Sequence, residues 1–272
     1  MSTSRAFDPV AAAVALDAAL AAARAAGGVL APLPPALAPQ TAAEGAAVQR
    51  ARARAMGAEP PAGFKVGATA RRMQEYLGLS GPAAGFIPAG AIVPSGSVLR
   101  CADFHRPGVE CELAVRLARD LPPGACDGAT AAAAVGEVFA AIEVVDNRYP
   151  DLTVFGTPSL IADQVFHARA VPGAPVGSGW EGDWQLLDLA ALVGTLTLDG
   201  VARDRGLGAE LLGHPMQSLA WLAGSEVAAA FGGLRAGQVV LLGSVIPPVW
   251  LEGPCAVGVA FPPLPPVGVI FV

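Results

Sequence analysis

Between Arg106 and Val115 the chain reads Arg-Pro-Gly-Val-Glu-Cys-Glu-Leu-Ala-Val, an apolar strand with two glutamates set one residue apart. Strand side chains alternate faces, so Glu110 and Glu112 project from the same one. Adjacent carboxylates on an apolar strand repel each other and lose hydration. Solvent, a cation or a shared proton has to offset that loss. The stretch is therefore either a half-exposed strand with a polar outer face or the wall of a site.

Two other features bear on the choice. Ala141-Ile-Glu143-Val-Val-Asp146 is a second apolar strand with an embedded carboxylate. Glu110, Glu112 and Glu143 together make a hard-oxygen donor set, suited to Mg²⁺ or Mn²⁺ with water or substrate oxygens completing an octahedron. Zinc suits the chain less, because His105, His167 and His214 show no ligand spacing. A glycosidase pair is also conceivable, but same-face neighbours suit a shared cation better than opposed acid and base. Of the 17 basic residues, Lys65 alone is lysine. Arginine fills the ordinary cationic positions, so the exception points to work arginine cannot do, such as giving up a proton after desolvation.

Composition excludes several classes. A net charge of −6 without a basic cluster argues against nucleic acid. The apolar excess is mostly alanine, and the run Val10–Ala26 is broken by Asp17 and Arg24. No stretch offers the roughly twenty continuous apolar residues of a membrane span. Cys101, Cys111, Cys126 and Cys255 form no CxxC pair, and the first residues lack the pattern of a signal peptide. A cytoplasmic protein is expected, and the low charge suggests a homo-oligomer.

Asp8-Pro9 predicts a helix to about Ala26, and Thr41-Ala-Ala-Glu44 a second to about Met56. Gly63–Thr69 reads as a short extended run, Arg71–Leu79 as a helix and Gly81–Gly90 as a loop. Further along, Asp127–Ala141 reads as a helix and Leu186–Leu189 as a strand. Asp199-Gly200 marks a hairpin turn. A helix follows His214-Pro215, with Leu219, Leu222, Val227 and Phe231 on its buried face, and strands are expected at 237–242, 255–261 and 267–272.

An ordered set of motifs runs from about Ala11 to Phe261: Gly63-Phe-Lys65-Val-Gly67, Arg106-Pro-Gly-Val-Glu110-Cys-Glu112, Ala141-Ile-Glu143-Val-Val-Asp146-Asn-Arg148-Tyr149, Ile161-Ala-Asp163, Gly206-Leu-Gly208, Leu212-Gly-His-Pro215 and Trp221-Leu-Ala. The set resembles the 2-keto-4-pentenoate hydratases and 2-oxo-3-hexenedioate decarboxylases of the fumarylacetoacetate hydrolase superfamily. The resemblance implies an α+β fold with a mixed β-roll core and peripheral helices. An N-terminal helical region (1–62) would pack on a catalytic domain (63–272). It further implies a Mg²⁺ or Mn²⁺ site with Glu110, Glu112 and Glu143 as ligands and Lys65 as the catalytic lysine. Arg106, Asp163, Gln164 and Ser244 are candidates for binding a small 2-oxo acid.

The activity so implied is hydration of a 2-hydroxydienoate from aromatic-ring breakdown. Decarboxylation of a 2-oxo-enedioate and acylpyruvate hydrolysis are the alternatives. A diacid would call for extra cations, with Arg71, Arg72, Arg106 and Arg148 available. Three positions depart from the family pattern: Ala84 stands where an acidic residue is usual, Gln164 replaces asparagine, and Leu242 replaces threonine. Val165-Phe166-His167 also replace small residues. These departures motivate a different reading, a silent homologue that binds a 2-oxo acid without turning it over.

Overall fold

The computed structural model describes residues 6–77, 79–150, 155–176 and 183–272. Two helices open the chain. In α1 (Pro9–Ala25) the Asp8 carboxylate accepts hydrogen bonds from the N–H groups of Val10 and Ala11 at 2.9 and 3.0 Å. In α2 (Ala42–Ala55) the Thr41 hydroxyl accepts from the Glu44 N–H. The Glu44 carboxylate reaches back one residue beyond a standard capping box, to the Gln40 N–H. Gln49 of α2 ties this pair to the body of the protein: its amide donates to Ala84 O at 2.8 Å and accepts from Phe86 N–H at 3.0 Å.

The remaining elements are β1 (Gly63–Gly67), α3 (Arg71–Leu77), β2 (Ala83–Ile87), β3 (Val98–Leu99), β4 (Pro107–Leu117), α4 (Gly128–Ala133), β5 (Val135–Asp146), α5 (Gly156–Ala162), β6 (His167–Pro172), β7 (Val193–Leu198), β8 (Val201–Leu207), α6 (Pro215–Ala223), α7 (Glu226–Ala230), β9 (Val239–Ser244), β10 (Val249–Trp250), β11 (Cys255–Ala260) and β12 (Val267–Phe271). They form two mixed sheets. The larger has the order β2-β1-β9-β4-β5-β6, with β10 added along the start of β4; the smaller has the order β3-β12-β11-β7-β8. No helix among the described residues is long and apolar enough to cross a membrane.

Strand β4 shows how the alternation is used. Val109, Cys111, Leu113 and Val115 point into the main core, where they join Leu196, Val257 and Phe261 of the smaller sheet. Glu110, Glu112 and Ala114 take the other face, and Ala114 joins a second apolar cluster with Phe139, Ala141 and Leu241. β5 pairs with β4 along its length, from Leu117↔Val135 to Pro107↔Asp146, and sets Glu143 directly opposite Glu110.

Several expectations give way here. The helix expected over Asp127–Ala141 is six residues long, Gly128–Ala133, and the rest is strand. Alanine's helix preference loses to Val135, Val138 and Phe139, which are buried once they pair with β4. The Gly81–Gly90 loop contains β2, which pairs antiparallel to β1. Leu186–Leu189 is not a strand: Leu186 ends a 3₁₀ turn, Trp184–Leu186, and the residues after it are irregular. The helix after Pro215 is two helices, separated by Gly224-Ser225, where the Ser225 hydroxyl caps α7 through the Ala228 N–H. The hairpin at Asp199-Gly200 joins β7 to β8 as expected. His214 caps α6, its Nδ1 accepting from the Met216 N–H.

Candidate metal centre

Glu110, Glu112 and Glu143 converge. Each offers an oxygen within 4.8 Å of the others'. Glu112 and Glu143 are fully buried, and Glu110 stands partly exposed at the mouth. Lys65 enters from β1, two strands away across β9, and its Nζ lies 3.2 Å from Glu143 Oε1. The lysine is itself 1% exposed.

The two buried carboxylates are held in the same manner. Glu112 Oε2 accepts the Gly243 N–H at 2.8 Å, and Glu112 Oε1 has no partner. Glu143 Oε1 accepts from Lys65 and lies 2.8 Å from His167 Nδ1, while Glu143 Oε2 has no partner. The protein thus pins one oxygen of each and leaves the other bare. A buried bare carboxylate oxygen is expensive without a cation or proton beside it. The Gly243 donor depends on a register shift in β9, between the pairs Glu112↔Ser244 and Ala114↔Leu241. Gly243 has φ +111°, and a Cβ there would lie 2.7 Å from Thr69 Cγ2. Only glycine fits this bulge.

Electrostatics divide the three acids. Burial pushes Glu110 up to about 8, with the Glu143 charge adding and Lys65 opposing. Burial likewise lifts Glu112 well above the carboxylate range, reinforced by Glu143 and Glu110. Burial also acts on Glu143, but Lys65 and His167 outweigh it and hold the carboxyl at about 2. For Lys65, burial favours the neutral amine, yet Glu143, Glu110 and Glu112 outweigh it and raise its pKa, keeping the ammonium. Burial lowers His167, against the pull of Glu143. Three carboxylates facing one ammonium carry a formal surplus of two negative charges, which a hard dication matches in charge and ligand type. The residues present fit such an ion.

Beside this cluster lies a narrow cavity of about 40 Å³. Lys65, Glu110, Asn147 and Ser244 supply polar groups; Met73, Val165, Phe166, Ile246, Pro248 and Trp250 supply apolar wall. Trp250 reaches it from β10, lying against Gly108, where a Cβ would come within 2.7 Å of the indole. Lys65 is the one cationic side chain among the described lining residues.

The structure therefore brings Lys65, Glu110, Glu112, Glu143 and Ser244 together. It does not bring Arg106, Asp163 or Gln164 to this cavity. Arg106 is exposed, with its guanidinium 5.2 Å from the Trp250 ring centroid. Asp163 is occupied elsewhere: Oδ2 accepts from Arg148 Nη2 and the Tyr149 hydroxyl, each at 2.9 Å, and Arg52 lies 3.5 Å from Oδ1. The Gln164 amide donates to Phe86 O and accepts from Arg52. Of the other arginines weighed for a diacid, Arg71 is exposed and paired with Glu75, and Arg148 lines a different cavity of about 520 Å³. The Arg72 side chain lies outside the described residues. Ala84, Gln164 and Leu242 do not line the narrow cavity either. His167, read from sequence only as a departure, sits on a candidate ligand.

The fold and this carboxylate cluster define a class. Residues 39–256 match the fumarylacetoacetate (FAA) hydrolase C-terminal family, and the chain belongs to that family. Within it, the chain is 37% identical over 190 residues to a 2-keto-4-pentenoate hydratase of Burkholderia vietnamiensis, covering 69% of each. It is 30% identical over 183 residues to a 4-oxalocrotonate decarboxylase of Pseudomonas putida, covering 67% of each. A solved 4-oxalocrotonate decarboxylase from Pseudomonas putida G7, complexed with magnesium and adipate, superposes with a TM-score of 0.84 at 25% identity, covering 99% of this chain and 100% of that one.

Proposed function

We propose that the protein is a divalent-metal-dependent hydro-lyase that adds water to a short 2-hydroxydienoate with an uncharged tail. Mg²⁺ and Mn²⁺ are the ions this reading favours, held by Glu110, Glu112 and Glu143. The observation that carries it is the lining of the narrow cavity, where Lys65 and Glu110 of the charged cluster meet a largely apolar wall and no second cation stands among the described lining residues. The solved decarboxylase accommodates adipate, a diacid. A second carboxylate here would meet Val165, Phe166 or Trp250 and lose its hydration unpaired.

A bound Mg²⁺ or Mn²⁺ would supply Lewis acidity toward the carboxylate and 2-oxygen of the substrate. The chain's own residues do the rest. The Lys65 ammonium, held protonated by the surrounding carboxylates, faces the end where negative charge develops on the 2-oxygen, and it stabilises that charge. As the dienol becomes the ketone, Lys65 passes a proton to the substrate carbon and recovers the one released from the 2-hydroxyl group, which restores the ammonium. The Ser244 hydroxyl, anchored by the Cys111 N–H at 3.2 Å, offers a neutral polar contact at the cavity. Phe166 and Trp250 hold the tail and exclude bulk water.

The test is turnover of 2-hydroxypenta-2,4-dienoate with Mg²⁺ or Mn²⁺, followed by loss of its ultraviolet absorbance and by formation of 4-hydroxy-2-oxopentanoate. Hydration of this monoacid with kcat/KM above that for CO₂ release from 2-oxo-3-hexenedioate is expected. CO₂ release from the diacid without hydration of the monoacid would transfer the protein to the decarboxylases. Metal binding without turnover of either would make it a silent homologue.

A further inference from the structure

Gln164, Val165 and Phe166 follow one another in the left-handed region, with φ of 57°, 54° and 66°. Left-handed backbone brings the Cβ of an L-residue against the following carbonyl and is strained. Three in succession, none of them glycine, persist only where the surroundings over-determine them. Those surroundings are visible. The Gln164 amide is gripped by Phe86 O at 2.8 Å and by Arg52 at 3.3 Å, and Arg52 is itself tied to Asp17 at 2.8 Å.

The turn delivers three side chains. Val165 and Phe166 enter the cavity wall, and His167 arrives as the first residue of β6, opposite Val145 across a register shift. Its side chain is 1% exposed, and Nδ1 lies 2.8 Å from Glu143 Oε1. An ionised carboxylate only accepts, so Nδ1 must carry the hydrogen. Nε2 is then an acceptor, without a partner, beside the larger cavity.

We propose that His167 is a positioning residue for the metal centre: by donating Nδ1–H to Glu143 Oε1, it turns the carboxylate so that Oε2 alone is presented to the cation. The inference rests on the metal reading of Glu110, Glu112 and Glu143. It goes beyond that reading by assigning a task to a residue that the carboxylate set does not include. Groups that orient a ligand in this way govern metal affinity, and their loss typically costs 10–100-fold. On this account the strained turn is the means of bringing an imidazole to one oxygen of one glutamate.

The test is Mn²⁺ binding to the metal-stripped protein, with free Mn²⁺ read by electron paramagnetic resonance. His167→Ala should weaken binding by about 10–100-fold. The amide nitrogen of His167→Asn falls near the place of Nδ1, whereas that of His167→Gln falls nearer Nε2. Asparagine should therefore restore most of the affinity and glutamine should not. Equal affinity of the Asn and Gln variants overturns the proposal even if the Ala variant fails to fold, and so does wild-type affinity in His167→Ala. If the wild-type chain itself binds no Mn²⁺, the metal reading fails first, which is a distinct result.

Discussion

At the scale of single residues, Lys65 and Glu143 are each other's main compensating charge. A buried ammonium and a buried carboxylate cost several kcal/mol apiece to desolvate, and removing one partner leaves the other uncompensated. Lys65→Met should lower turnover by roughly 10²–10⁴-fold, the range for a positioned proton donor, while Mn²⁺ affinity stays the same or tightens as a competing cation leaves. Unchanged turnover would remove Lys65 from the chemistry. The acids predict a pH dependence of binding. Glu110 is pushed up to about 8 without a cation, so a metal must displace its proton below that pH. Glu112 is also lifted well above the carboxylate range, so Mn²⁺ affinity should rise at least about tenfold per pH unit up to about 8, and more steeply where both carboxyls give up a proton; titrations at pH 6, 7 and 8 read the slope, and a flat profile would contradict the assignment of Glu110 and Glu112.

At the scale of elements, the decisive devices are irregular. The β9 bulge turns the Gly243 N–H toward Glu112, and the left-handed turn before β6 aims His167 at Glu143. Gly243→Ala adds a methyl beside Thr69 at a positive φ. It should destabilise the chain by roughly 1–3 kcal/mol and weaken Mn²⁺ binding together with it; denaturant melts and metal titration check both effects. The contrast with sequence reading is instructive. The Glu110/Glu112 strand was legible because period-two alternation is local, and Glu143 because an acid among β-branched residues stands out. β2 was hidden in a Gly/Pro-rich stretch, and the first half of β5 behind alanines. His167 was not legible, since its partner lies 24 residues away and the contact depends on an unusual turn. Asp163 and Gln164 were visible as candidates, but their long-range partners Arg52, Arg148 and Phe86 were not.

At the scale of the whole molecule, the metal-free protein works against itself. A carboxyl whose pKa rises from 4.5 to about 8 on folding contributes stability below pH 4.5 that is lost as pH rises through 8. Metal-stripped protein should therefore melt at progressively lower temperature between pH 5 and 8. Mn²⁺ at a hundred times its Kd should return about 2.7 kcal/mol, or roughly 5–10 °C; calorimetry with and without chelator measures this. The helices α1 and α2 belong to the same account, because Arg52 braces the turn that carries His167. Finally, the solitary lysine has a practical consequence. Growth on ¹³C- or ¹⁵N-lysine would give a protein whose magnetic-resonance spectrum contains one lysine side chain, and that side chain lines the narrow cavity beside the carboxylate cluster. Metal loading, substrate entry and protonation could then each be followed as movement of a single peak, in the unmutated protein.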